Sequence, residues 1–152
     1  MDARPNWVPY FLGVATAVSE RGDCRRSRVG AILVDKRRRI RGSGYNGAEP
    51  GGPSCLAGEC PRGLRSYDEV APLSSYAETG PASCIALHAE QNLVLYSSPE
   101  DRDGGSVFIT REPCDPCLRM LKGSGVINIV WPTGSWTRVD LDGHREWRKK
   151  DG

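Results

Sequence analysis

The alternation of helical and extended segments constrains the fold more than any other feature of the sequence. Apolar residues at helical spacing predict a helix over 8–18. Two short extended segments at 29–34 and 40–45, joined by a charged turn, predict a β-hairpin. The elements predicted after the hairpin are a helix over 84–96, a strand over 106–110, a helix over 114–122 that stops at Gly123, and a strand over 126–131. A hairpin followed by alternating helices and strands predicts a three-layer α/β/α fold with a mixed sheet.

The length of the chain fits one domain. With 152 residues it is long enough to bury one core and too short for two substantial ones, so we predict a single domain over 1–152. Its 18 glycines and 11 prolines indicate much loop. A long loop is predicted over 46–83 and a polar tail over 132–152. A loop of that length is usually functional or held by something other than a core.

Charge and hydropathy exclude several classes of partner. The net charge of +2 gives no strong electrostatic case for a nucleic acid or a membrane surface, and it is compatible with a small anionic ligand. The N-terminus has no signal-peptide pattern, and no apolar run is long enough to span a bilayer. We therefore expect a cytoplasmic protein, in which cysteines bind metals or take part in catalysis more often than they form disulfides.

The candidate metal site consists of His88, Cys114 and Cys117. Cys-x-x-Cys at the start of a predicted helix places two thiols within reach of one ion, and the helix dipole favours their thiolate form. One histidine brings the set to three ligands, which is typical of catalytic zinc because structural zinc sites use four protein ligands. Glu90 lies too close to His88 to be a comfortable co-ligand, but it can reach a water on the metal. We therefore predict that Glu90 is a proton shuttle.

Each half of this pattern also has a plainer interpretation. A lone histidine on an apolar helix is often a core residue, and Cys-x-x-Cys occurs in redox and structural-zinc proteins. A zinc-stabilised binding module is therefore the non-enzyme alternative, although a structural site has no use for the carboxylate of Glu90. In this order, with Pro113 before the first cysteine, the residues match the signature of zinc deaminases.

Over residues 8–131 the sequence resembles the cytidine and deoxycytidylate deaminase superfamily. The blocks that carry the resemblance beyond the metal ligands, and that are similar to those of deoxycytidylate deaminases, are Val29-Gly30-Ala31, Gly44-Tyr45-Asn46-Gly47 and His88-Ala89-Glu90-Gln91-Asn92. The resemblance implies a cytidine-deaminase-like fold and zinc-dependent hydrolysis of a free cytosine nucleotide, with dCMP the first choice, to the uracil nucleotide and ammonia. A nucleoside, a free base or a base in RNA is the alternative substrate, since the same zinc chemistry serves all of them.

The resemblance also implies roles for single residues. Glu90 is implied as the general acid/base, and Asn46 as a residue that hydrogen-bonds the nucleotide. The alternative for Asn46 is a turn-forming role in Asn-Gly. Arg26 is implied as the cation for the phosphate, with an ordinary solvent-exposed arginine as its alternative.

Four further cysteines lie upstream of the Cys-x-x-Cys motif: Cys24, Cys55, Cys60 and Cys84. The resemblance implies a second, structural zinc near this loop, and a metal would offset the entropy of ordering it. Free buried cysteines are the alternative. The resemblance further implies a homo-oligomer, commonly a hexamer. The segment 62–81 and the C-terminal tail depart from the family pattern, and both are places where the substrate could be contacted.

Overall fold

A six-stranded mixed sheet organises the computed structural model, which describes residues 3–65 and 83–151. The strands are β1 (Gly30–Val34), β2 (Ile40–Tyr45), β3 (Ser106–Ile109), β4 (Asn128–Trp131), β5 (Gly134–Leu141) and β6 (His144–Asp151). The helices are α1 (Trp7–Ser19), α2 (Ala89–Leu95), α3 (Pro99–Arg102) and α4 (Asp115–Lys122). Across the sheet the strands lie in the order β2-β1-β3-β4-β5-β6.

One parallel pair of strands lies within an otherwise antiparallel sheet. β1 is antiparallel to both β2 and β3, whereas β3 and β4 are parallel, with Ser106 opposite Asn128. Parallel neighbours need a crossover connection, and α4 provides it. The residues that follow β3 therefore lead into α4 at the carboxyl end of the strand, where open α/β sheets commonly bind their ligands.

The side chains of the central strands alternate between two cores, one on each face of the sheet. Ile32 and Val34 of β1 and Phe108 of β3 pack with Phe11 and Ala15 of α1. The core on the opposite face includes residues of α2 and α4, and its buried members are Val29, Ala31, Leu33, Ala89, Leu93, Val107, Ile109, Leu121, Val126, Ile129 and Trp131. Helices thus cover both faces of the sheet, which confirms the predicted three-layer α/β/α architecture.

Two glycines let helices approach the sheet closely. A Cβ added at Gly30 of β1 would overlap the carbonyl oxygen of Ala15, and one added at Gly44 of β2 would overlap that of Ala89. Close-packed backbone leaves no room for such an overlap, so either helix would have to move to admit a side chain. Gly44 therefore helps to set the position of the first turn of α2.

The helix predicted over 84–96 begins later than expected. It starts at Ala89 with His88 as its N-cap, and residues 84–88 are not helical. Leu87 instead forms an antiparallel bridge with Gly47, in which each backbone N donates to the other's carbonyl oxygen at 2.9 and 3.0 Å. The apolar residues before His88 fit an extended segment as well as a helix, and this bridge selects the extended form. The other predicted helices and strands agree with the structure to within two residues.

The segment 132–152, predicted as a polar tail, instead contains a β-hairpin. β5 and β6 pair along their eight-residue lengths, and β5 also pairs with β4. Asp142 and Gly143 form the two-residue turn, and Gly143 has a φ of 84°, which glycine adopts without strain. Trp136 and Trp147 pack against the core shared with α4. The hairpin therefore extends the sheet by two strands.

The segment 62–81 was predicted to depart from the family pattern, and most of it, residues 66–81, lies outside the described part of the chain. The prediction that this segment contacts the substrate therefore stays a prediction. In the ranges 3–65 and 83–151, no helix combines the length and the apolar character needed to cross a membrane.

Candidate metal centre and the adjoining cavity

Three side chains from two separate segments converge on one point. Nδ1 of His88 lies 3.3 Å from Sγ of Cys117 and 3.6 Å from Sγ of Cys114. Among the described residues, these three form the group of candidate ligands whose ligand atoms all lie within 4.8 Å of one another. The structure therefore brings together the three predicted metal ligands.

Two helix N-termini hold these donors in place. His88 is the N-cap of α2, and its backbone N donates to Oε1 of Gln91 at 2.7 Å, which fixes the first turn. Cys114 is the N-cap of α4, and Cys117 lies in the first turn of that helix. Pro116 lies in the first turn of α4, where a backbone N–H would have no intrahelical partner, so its missing N–H removes no helical hydrogen bond. Both cysteines thus lie at the positive end of the α4 dipole, which favours their thiolate form.

The donor set and its spacing fit zinc. Zn–N and Zn–S bonds of about 2.1 and 2.3 Å in a tetrahedral site separate nitrogen from sulfur by about 3.6 Å. The two observed separations between His88 and the cysteines, 3.3 and 3.6 Å, agree with this value. Burial raises the pKa of the Cys117 thiol, and the charge of Glu90 adds to the increase. A bound cation would hold this sulfur as a thiolate, and three protein donors leave one tetrahedral position open, as in catalytic zinc sites.

Glu90 lies beside the metal-binding group and is only 4% exposed. Burial raises the pKa of its carboxyl, although its own backbone amide, His88, the Cys117 thiol and Arg111 act in the opposite direction. A buried carboxyl with a raised pKa can hold a proton and release it during a reaction near neutral pH. The position and environment of Glu90 therefore suit the predicted role of proton shuttle.

A cavity adjoins the metal-binding group. Its lining includes Ser27, Asn46, His88, Glu90, Arg111 and Cys114. Asn46 is buried in its wall: Oδ1 accepts from the backbone N of Val29 at 2.9 Å, and Nδ2 donates to the carbonyl oxygen of Ser27 at 2.7 Å. These bonds join the segment before β1 to the end of β2 and orient the amide. The predicted contact of Asn46 with the nucleotide stays a prediction.

Arg26 lies beside a neighbouring depression of the surface. Its guanidinium donates to the carbonyl oxygens of Arg62 at 3.2 Å and Arg65 at 2.5 Å. Arg26 lines this depression together with Arg25 and Arg28. It is not among the described residues that line the cavity. The depression and the cavity share Ser27 and a cysteine, so Arg26 lies near the cavity but its side chain binds the loop.

Arg111 is a cavity residue that no sequence pattern singled out. It donates from Nη1 to Oγ of Ser27 at 3.3 Å. The next residue, Glu112, also lines the cavity and forms an ion pair of 3.0 Å with Nζ of Lys149 on β6. The sequence feature that could have identified Arg111 is its position just after a predicted strand and just before the Cys-x-x-Cys motif. A single arginine in such a position is too common to be specific by itself.

The four remaining cysteines gather next to the cavity. The thiol of Cys60 contacts those of Cys55 and Cys84, and Cys24 is close enough to affect the ionisation of both Cys55 and Cys84. Cys24 and Cys84 also line the cavity. This cysteine cluster is looser than the His88 group, since its sulfurs do not all lie within 4.8 Å of one another.

Backbone N–H groups point at the sulfurs of the cysteine cluster. The donors, each 3.4 Å from the sulfur, are Arg26 and Ser27 for Cys24, Arg25 for Cys55, and Gly63 for Cys60. Burial raises the pKa of Cys55 to about 11. Burial also opposes ionisation of Cys60, but N–H groups of Ile85 and Gly63 and the neighbouring thiols outweigh it and lower the pKa of Cys60. N–H donors directed at sulfur favour a thiolate, which is the form that binds a metal.

Comparison with known proteins finds deoxycytidylate deaminases among the relatives of this chain. A family model described as the cytidine and deoxycytidylate deaminase zinc-binding region matches residues 5–133. The deoxycytidylate deaminase of Mycobacterium phage D29 is 46% identical over 133 residues, which cover 88% of this chain and 99% of that protein. The deoxycytidylate deaminase of Schizosaccharomyces pombe is 30% identical over 143 residues, which cover 93% of this chain and 40% of that protein. The chain therefore spans nearly the whole phage protein but less than half of the yeast one.

The similarity extends to solved structures. The crystal structure of dCMP deaminase from the cyanophage S-TIM5 in complex with dCMP and dUMP matches with a TM-score of 0.60 and 25% sequence identity. The match covers 86% of this chain and 83% of that one. The fold, the metal-binding group and the family model thus agree with one another.

Proposed function

The chain belongs to the cytidine and deoxycytidylate deaminase family, and from this premise we propose that it hydrolyses dCMP to dUMP and ammonia. The observation that carries the proposal is the group of His88, Cys114 and Cys117 beside the buried carboxyl of Glu90. A structural zinc site has no use for that carboxyl, so a binding module leaves the geometry unexplained. The choice of dCMP is supported by the phage relative and by the nucleotide complex of the cyanophage enzyme.

The residues of the chain account for the proton transfers of this reaction. A zinc ion held by His88, Cys114 and Cys117 would supply Lewis-acid chemistry and lower the pKa of a water. Glu90 accepts one proton from the water that attacks C4 of the pyrimidine and delivers it to ring N3. It then accepts the second proton from the same oxygen and delivers it to the amino nitrogen. The C4–N bond breaks, ammonia leaves, and the oxygen of the water becomes the new carbonyl oxygen of uracil. The buried environment of Glu90 helps to retain the proton between these transfers.

Two polar residues remain candidates for contact with the nucleotide. Asn46 is supported by its position in the cavity wall. Arg26 is supported only by the family resemblance and by the proximity of its depression to the cavity.

The substrate is tested by measuring ammonia release from dCMP, dCTP, cytidine, deoxycytidine and cytosine, with metal analysis of the same preparation. We expect the highest kcat/KM for dCMP and at least one zinc per chain. A higher kcat/KM for deoxycytidine or cytosine would replace the nucleotide by one of the alternative substrates. If zinc-loaded protein released no ammonia from any of the five, the proposed hydrolysis of dCMP would be overturned, and a base in RNA and the binding module would be the remaining alternatives.

We further propose that the cysteine cluster of Cys24, Cys55, Cys60 and Cys84 holds a second, structural zinc. Four thiols match the ligand number of structural zinc sites. The convergence of these thiols and the N–H groups directed at their sulfurs support the proposal. A bound metal would also offset the entropy of ordering the long loop that carries two of the ligands.

We also propose an assembly, a compartment and a domain organisation for this chain. A homo-oligomer, commonly a hexamer in this family, is supported by exposed apolar side chains such as Trp7, Tyr10, Leu95 and Tyr96. Light scattering of the purified protein would measure its mass.

A cytoplasmic location is supported by the six free cysteines, and localisation of a tagged copy would test it. A single domain is supported by the continuous sheet, and one cooperative unfolding transition is the expected result.

A further inference from the structure

Arg111 is the one arginine or lysine among the described residues that line the cavity. We propose that Arg111 binds the phosphate of the nucleotide, an inference that rests on the proposed hydrolysis of dCMP. A phosphate dianion entering the cavity needs a cation, and a guanidinium can bind two phosphate oxygens at once. Arg111 is therefore the described cavity residue best matched to that group.

The charge of Arg111 is available to a ligand. Its hydrogen bond, at 3.3 Å, is to the neutral hydroxyl of Ser27, which does not neutralise the positive charge. Glu112, the acid beside it in sequence, forms an ion pair with Lys149 at 3.0 Å. In the described ranges, no carboxylate forms an ion pair with Arg111. The guanidinium of Arg26, by contrast, donates two hydrogen bonds to carbonyl oxygens of the loop.

Arg111 and Glu90 lie at different depths of the cavity. Arg111 is exposed, whereas Glu90 is buried at the metal-binding group, so the cavity has a deep end and an outer rim. A pyrimidine that presents C4 to Glu90 directs its sugar and phosphate away from that carboxyl. The phosphate then lies towards the outer rim, where Arg111 donates to Ser27. The hydroxyl of Ser27 can serve as a second donor to the same phosphate.

The test compares nucleotides with their nucleosides in an Arg111→Ala variant. We expect kcat/KM for dCMP to fall about 10- to 100-fold, mainly through KM, because a charge-assisted hydrogen bond is lost. Turnover of deoxycytidine should not change. Titration calorimetry gives a readout that is independent of turnover: the Kd of dUMP should rise by a similar factor, and binding of deoxyuridine should be unaffected. Arg111→Lys, which keeps the charge, should recover part of the loss.

Matched variants separate phosphate binding from a structural effect. Ser27→Ala removes the hydroxyl that Arg111 contacts but keeps the charge, so it should cost less than Arg111→Ala. Arg119→Ala removes an exposed charge on α4 and should leave both substrates unchanged. Arg26→Ala, measured in the same assay, tests the role that the family resemblance implies for Arg26.

The possible failures are distinguishable. Wild-type protein that prefers deoxycytidine to dCMP would overturn both the proposed function and the role of Arg111. If wild-type protein prefers dCMP and Arg111→Ala retains that preference and the dUMP affinity, only the role of Arg111 is overturned. Equal slowing of dCMP and deoxycytidine by Arg111→Ala would also overturn phosphate binding, because it would indicate a structural role.

Discussion

The neighbours of Glu90 determine how readily its carboxyl ionises. A buried carboxyl is costly in its charged form, and burial accordingly raises its pKa. His88, Cys117 and Arg111 act against that increase. A carboxyl balanced between these opposing influences can exchange a proton, whereas a fully exposed one would stay ionised at neutral pH.

Glu90→Gln should abolish turnover while leaving the fold and the zinc in place. Glutamine has nearly the same shape but cannot carry a proton, and Glu90 is not a metal ligand, so we expect kcat to fall at least about 100-fold. Ammonia release, zinc content and circular dichroism would be measured together. Glu100→Gln on α3 is the control, because it removes an acidic residue in an exposed part of the chain. Substantial remaining activity in Glu90→Gln would show that another group moves the proton.

The sequence was sufficient to predict the metal donors but not the cation at the cavity rim. His88 and the two cysteines follow a spacing that depends on helix geometry and ligand number, and both are readable from the chain. Arg111 acquires its significance from Ser27, which lies 84 positions away in the sequence. No local sequence pattern predicts the contacts of Arg26 with the carbonyl oxygens of the loop either.

At the scale of elements, the contact between β2 and α2 helps to position His88 and the proposed proton shuttle Glu90. Gly44 lies against the backbone of Ala89, at the start of the helix that His88 caps and that contains Glu90. A shift of this helix start would move His88 and Glu90 together. Small displacements of such groups are costly, because catalysis depends on their distances.

Gly44→Ala should therefore reduce both stability and activity. We expect the free energy of unfolding to fall by about 1–3 kcal/mol, as for an overpacked core, and kcat to fall with it. Gly42→Ala is a closely matched control: it lies two positions earlier in β2, and its added Cβ would meet Leu93 Cδ1 at 3.4 Å, a tight contact with the end of a flexible side chain. Urea unfolding at saturating zinc and ammonia release would measure both effects. Similar losses in the two variants would show that the backbone contact of Gly44 is unimportant.

The two incorrect predictions, the start of α2 and the polar tail, have physical explanations. The segment before His88 has apolar residues that suit a strand as well as a helix, and a bridge to Gly47 selects the extended form. In β5 and β6 the many charges concealed an amphipathic pattern in which Trp136 and Trp147 face the core. The dipeptide Asp142-Gly143 is a strong hairpin signal, and it would have identified this hairpin had the tail been read as strands.

At the scale of the whole molecule, the cysteine cluster and the cavity share a wall. Cys24 and Cys84 belong to the cluster and also line the cavity. A structural metal at the cluster would therefore stabilise one side of the active site as well as the loop. If the proposed second zinc is bound there, its loss would affect catalysis indirectly, through this shared wall.

Purified protein should contain more than one zinc per chain, and Cys55→Ser should remove the second zinc first. Cys55 is buried in the cluster and, among the described residues, is not part of the cavity lining, so the His88 site should keep its metal. We expect faster proteolysis of the loop before any loss of catalytic zinc. Metal analysis and limited proteolysis would follow the two events. One zinc per chain, with Cys55→Ser as stable as the wild type, would support free buried cysteines.

The pairing of β1 with β3 determines when the protein can acquire its function during synthesis. Ala31 lies opposite Ile109, so the centre of the sheet joins segments that are far apart in the sequence. The hairpin of β1 and β2 is local, whereas closing the larger loop to β3 costs more chain entropy and slows folding. The donors His88 and Cys117 flank β3 along the chain. The metal centre therefore cannot assemble on a nascent polypeptide before β3 has left the ribosome, because Cys114 and Cys117 follow that strand in the sequence.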